Sequence, residues 1–182
     1  MIRTSPMPQR LFAGLFFFLV ALVCAVAPMP VLFRSLGIVL ASYLAFASAG
    51  MPVAYLCALV APPIGLIGGD SDWLVILPIV LSGNLLAMLG LEFAWRLPAI
   101  LVSPALLVTP AFVAWQLSRK PLFEVTLPWQ AGEATWVALH FLVALLGVLL
   151  AVYLDRRRRL HAAAGRPAEA PTAASARAAR LR

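Results

Sequence analysis

Charged residues divide this chain into five uncharged stretches, 11–33, 35–69, 73–91, 97–118 and 134–154. A hydrocarbon core about 30 Å thick is crossed by about 20 apolar residues at 1.5 Å rise per residue, so each stretch is long enough to span, and 35–69 can hold two crossings. The break within it is Gly50-Met51-Pro52, a turn signal that separates a helix near 33–49 from another near 53–68. The pattern predicts an all-α membrane bundle of six transmembrane helices. The alternative is five, with 35–69 forming one long span and a re-entrant segment broken at Pro62-Pro63.

Basic residues decide between the two. With six spans and the N-terminus inside, the cytoplasmic side carries Arg3, Arg10, Arg96, Arg156, Arg157, Arg158, Arg159, Arg166, Arg177, Arg180 and Arg182. The outside then carries Arg34, Arg119 and Lys120. That asymmetry follows the positive-inside rule, whereas five spans would set the arginine-rich C-terminus across the membrane from the other cytoplasmic arginines. The expected layout is an N-terminal segment 1–10, a six-span domain 11–155 and a basic disordered tail 156–182, both ends cytoplasmic, in the cytoplasmic membrane.

Arg3 and Arg10 before an apolar run ending in Ala25-Val26-Ala27 also resemble a signal peptide. Pro28 directly after the A-x-A site, and the length of the run, favour a retained first span. Trp73, Trp95, Trp115, Trp129 and Trp136 fall at or beside span ends and are expected to be interfacial anchors. The longest loop, 119–134, contains Phe123-Glu124-Val125-Thr126-Leu127, whose alternation suits a short strand or lid; a solvated loop is the stronger reading.

Composition agrees with lipid as the main solvent: 63% hydrophobic, 12% charged, mean hydropathy +0.97. Most of the net charge of +7 lies after Leu154, where Arg156 to Arg159 form a topology-setting and anionic-lipid pattern. A nucleic-acid arm is the weaker alternative. Cys24 and Cys57 lie in apolar runs without a CxxC spacing and read as core residues, with no disulfide.

Signs of catalysis are scarce. HExxH, GxSxG and Walker motifs are missing, as are paired intramembrane carboxylates, and the two histidines, His140 and His161, do not have metal-ligand spacing. The chain is read as a non-enzyme with no cofactor or metal. Without an ATPase motif, any transport would need energy from partners or a gradient.

The most informative polar residue is Asn84, about 16 Å along a helix starting at Trp73 and hence near the bilayer middle. An amide there must bond to protein or solute, since lipid offers nothing. It serves either as interhelical glue, with Gly83 letting a neighbouring backbone approach, or as a ligand contact. His140 shares a helix face with Trp136. With Gln116, Trp115, Tyr55 and Asn84 it makes a candidate outward-facing pocket, although each is individually an ordinary interface residue. Glu92 and Arg96 are spaced for a local ion pair. Pro62, Pro63, Pro78, Pro104 and Pro110 kink the middle spans, which favours a bundle around a solute over a simple anchor; kinks also arise from packing alone.

Six short spans, the AxxxA of Ala21 and Ala25, and 73–78 leading into Ser82-Gly83-Asn84-Leu85-Leu86 resemble the substrate-binding S components of energy-coupling factor vitamin transporters. The resemblance implies capture of a vitamin-like solute on the outer side and docking to a membrane coupling subunit with ATPases. Ala21 and Ala25 would face that subunit, and Asn84 would lie near the binding cavity. The other reading is a non-transporting scaffold similar to the small six-span cell-shape protein of the rod complex. A closed core with Asn84 bonded to a neighbouring helix would favour the scaffold, and an outward cavity lined by Tyr55, Trp115 and His140 would favour solute capture.

Overall fold

The computed structural model describes residues 7–94, 97–120, 127–129 and 132–164. Six helices are long and apolar enough to cross a membrane. They are α1 (Met7–Val26), α2 (Val31–Ser48), α3 (Met51–Gly68), α4 (Ser71–Phe93), α5 (Leu97–Ser118) and α6 (Glu133–Ala164). The chain is therefore an all-α integral membrane protein, and six crossings return its two ends to one side.

The turn that separates six spans from five lies where the sequence marks it. Gly50 adopts φ +107, a value that L side chains rarely take, and Pro52 sits in the first turn of α3. α3 is the irregular element. It is α-helical over Met51–Tyr55, π-helical over Leu56–Val60, α-helical again over Ala61–Ile64 and 3₁₀ over Gly65–Gly68. Pro62 and Pro63 have no N–H, so the regular ladder cannot run through this part of α3.

Five helices close a ring in which α2 touches α6, α6 touches α5, α5 touches α4, α4 touches α3 and α3 returns to α2. α1 lies outside the ring on the seam between α2 and α3. The joint uses small residues: Ala21 of α1 is buried with Ala41 and Ala45 of α2 and with Cys57 and Ala61 of α3. Their four-residue spacings bring three backbones close together, the usual source of van der Waals attraction between helices in lipid. Toward the end of the bundle that holds the α2–α3 turn, the ring is filled by Tyr43, Phe46, Met88, Leu91, Leu107 and Val148. Toward the other end it is filled by Val31, Ile38, Trp73, Ile76, Val80 and Trp136.

α6 runs beyond Asp155 to Ala164, so Arg156 and Arg157 continue a helix where disorder is expected from composition. Four arginines in a row are good helix formers once a long span has supplied the nucleus. Trp95, Arg96, the strand-or-lid stretch 123–126, the side chains of Arg158 and Arg159, and the tail 165–182 lie outside the described residues.

Candidate functional site

Asn84 is 2% exposed, and its Nδ2 donates to the carbonyl of Ala58 in α3 at 2.9 Å. An α-helical partner for that carbonyl would be the N–H of residue 62, and a π-helical partner the N–H of residue 63. Both are proline, and the 3₁₀ donor, the Ala61 N–H, bonds to the Leu56 carbonyl instead, so an amide from α4 takes that place. Gly83 lets α4 approach a different helix, α5: an added Cβ there would lie 2.5 Å from the Leu107 carbonyl oxygen. Of the two roles open to Asn84, the interhelical bond is the one the geometry displays.

His140 is 6% exposed and stacks on Trp136, ring centroids 4.6 Å apart, as the four-residue spacing predicts. Its Nδ1 donates to the Trp136 carbonyl at 2.8 Å, and its Nε2 lies 2.7 Å from the Ser35 hydroxyl of α2. In the neutral ring Nε2 accepts, so the serine proton points to it and leaves the Leu32 carbonyl, 3.0 Å from the same oxygen. A third bond pair links α2, α5 and α4: the hydroxyls of Tyr43 and Ser103 meet at 2.8 Å, and Ser103 donates to the Ala87 carbonyl at 2.8 Å.

Asn84 and His140 border the same space, together with Val39, Gly83, Ala111 and Trp136, but it holds only about 20 Å³. A single water needs roughly 10–15 Å³ of such space, and ligand pockets run to about 300–1,000 Å³. The remaining candidates are elsewhere. Tyr55 lies in the first turns of α3, at the end of the bundle away from His140, where its hydroxyl donates to Glu92 at 2.8 Å. Glu92 thus has a partner on α3. Trp115 is half-buried in α5 with Arg119 stacked 4.5 Å over its ring, and Gln116 beside it is exposed. The five candidate ligand residues do not converge on one pocket.

Ala21 and Ala25, which the resemblance sets against a coupling subunit, are fully buried within the chain, packed on its own helices. One further expectation is corrected: Trp73 and Trp136 are core residues rather than interfacial anchors, at 0% and 2% exposure. Trp73 is buried because its indole N–H has a partner inside, the Pro62 carbonyl at 2.9 Å.

The largest polar assembly was not visible in the sequence, where Arg34 counts only as an external charge. Arg34 is 4% exposed and bonds to Asp70 at 2.7 Å. Its Nη2 donates to the Ala25 carbonyl and, at 3.2 Å, to that of Gly65, and the guanidinium sits 4.3 Å over the Trp73 ring. One cation thereby serves the C-terminal ends of α1 and α3, where carbonyls lack helical donors and the dipole is negative. Asp70 in turn caps α4, accepting from the N–H groups of Asp72 and Trp73 at 3.0 and 3.3 Å. The cluster ties four helices together at the end of the bundle opposite the α2–α3 turn.

Among the described residues, no three His, Cys, Asp or Glu side chains gather in a way that could hold a metal. No family model, no curated protein and no solved structure matches the chain.

Proposed function

We infer that this protein is a non-transporting membrane scaffold, a packed six-span bundle that holds partner proteins through its outer helix faces and its basic end. The observation that carries this reading is the use of polar groups at bilayer depth. Asn84, His140, Ser35, Tyr43 and Ser103 are all bonded between helices, and the space left beside Asn84 and His140 is water-sized. Such bonds fix helix register instead of waiting for a ligand. The likeness to the small six-span cell-shape protein of the rod complex fits a packed interior of this kind. Arg156 and Arg157, at the end of α6, add positive charge suited to anionic lipid or an acidic partner.

Solute capture in the manner of the S components is the second reading. What favours it is that Asn84 and His140, two of its expected ligands, do border one space. It requires that space to widen from about 20 Å³ and Asn84 to leave the Ala58 carbonyl of α3 for the solute.

The test is to extract the protein from its own membrane in a mild detergent and identify by mass spectrometry what accompanies it. The scaffold reading expects stoichiometric membrane proteins and no bound small molecule. A stoichiometric small molecule lost from Asn84→Leu would overturn it in favour of capture.

A further inference from the structure

Outside the ring, α1 and α3 do not close on each other along their whole length. Ala21 and Ala25 bind α1 tightly to the bundle at one end. Toward the other end the two helices leave a groove of about 400 Å³ between Leu11, Gly14, Leu15 and Phe18 of α1 and Val53 and Leu56 of α3. Gly14 forms its floor, because a Cβ there would lie 3.2 Å from both Ala49 and Val53. Arg10 stands at the end of this otherwise apolar lining. Leu15 and Leu56 remain 57% and 45% exposed, so the groove opens sideways into lipid.

We propose that this groove binds one anionic phospholipid, with an acyl chain between α1 and α3 and its phosphate headgroup at Arg10. Its volume lies within the about 300–1,000 Å³ of ligand-sized sites, many times larger than the space beside Asn84. The stretch from Leu11 to Phe18 rises about 10 Å, which suits the part of an acyl chain next to its headgroup. With the N-terminus inside, Arg10 sits at the depth of the cytoplasmic leaflet's headgroups, where anionic lipids are found. The lining itself selects the occupant, a long apolar body with one negative charge at its end. A bound lipid would fill the gap beside α1 and complete the packing of the helix that the ring leaves outside.

Native mass spectrometry of the detergent-purified protein, with chain-matched phosphatidylglycerol or phosphatidylcholine added, tests this. The expected result is one retained lipid with an about fivefold preference for phosphatidylglycerol, the effect of one basic side chain on an anionic headgroup. Arg10→Gln should abolish the preference while leaving phosphatidylcholine binding unchanged. Leu56→Trp and Leu15→Trp, which fill the groove from lipid-exposed positions, should each lose the retained lipid. Leu142→Trp, on the lipid face of α6, should keep it. Equal retention by the groove-filling variants and the unmodified chain, no preference for phosphatidylglycerol, or a dimer in place of the lipid adduct would overturn the proposal.

Discussion

The amide of Asn84 on α4 is hydrogen-bonded to the carbonyl of Ala58 on α3, across 2.9 Å and 26 positions of sequence. The bond answers a deficit written into α3, since the two prolines after Val60 and Ala61 deprive that carbonyl of its α- and π-helical donors. In water such a carbonyl would be solvated. In hydrocarbon it must be bonded by protein, which explains why a polar side chain stands in the middle of an apolar span.

The close crossing of α4 and α5 at Gly83 is expected to tolerate no side chain. Gly83→Ala drives a methyl to within 2.5 Å of the Leu107 carbonyl oxygen and should cost about 1–3 kcal/mol, read as a lowered melting temperature in detergent. Gly68→Ala, with nothing within 4 Å of the new Cβ, should change stability by less than about 0.5 kcal/mol. Equal effects from the two would refute the crossing.

Arg34 and Asp70 should not be equivalent partners. Arg34→Leu removes donors from two helix-end carbonyls as well as from Asp70, and is expected to cost about 3 kcal/mol or more. Arg34→Lys should recover only part of this, because an ammonium lacks the planar fork that reaches all three acceptors. Asp70→Asn keeps the α4 cap but takes the counter-charge from a guanidinium that is 5% exposed, while its two carbonyl acceptors remain, so about 1–3 kcal/mol is expected, below the Arg34→Leu loss. Chemical unfolding of the three variants gives the order directly, and an Asp70→Asn loss as large as that of Arg34→Leu would contradict it.

The same cluster should face away from the cytoplasm. In a background of Cys24→Ala and Cys57→Ala, Ser71→Cys beside Asp70 is expected to react with a membrane-impermeant maleimide on intact cells. Arg156→Cys should react only after lysis. The opposite pattern would invert the threading derived from the arginine distribution.

Six spans and the Gly50 break were legible because lipid imposes length and apolarity on every crossing, and because glycine and proline mark turns. Asn84 was legible as a residue needing a partner. The identity of that partner was implicit in Pro62 and Pro63, which single out the Ala58 carbonyl, but only the fold brings α4 to it. Arg34 was misleading, since a charge between two apolar runs reads as a loop residue. Its burial depends on two helix ends and Asp70 meeting in space, and sequence spacing carries no record of that meeting. Tyr55, Trp115 and Gln116 were grouped by residue type, and their dispersal follows from depth: Tyr55 lies in the first turns of α3, whereas Trp115 and Gln116 lie in the last turn of α5.

The central claim, that polar groups inside this bundle serve helix–helix bonds, is tested most directly by a double-mutant cycle on Asn84 and Pro62. Asn84→Leu alone is expected to cost about 1–2 kcal/mol of unfolding free energy. Pro62→Ala supplies the missing N–H within α3, and in that background the cost of Asn84→Leu should fall by at least half. An equal cost in both backgrounds would mean that Asn84 does not answer the proline-orphaned carbonyl, and would contradict the account.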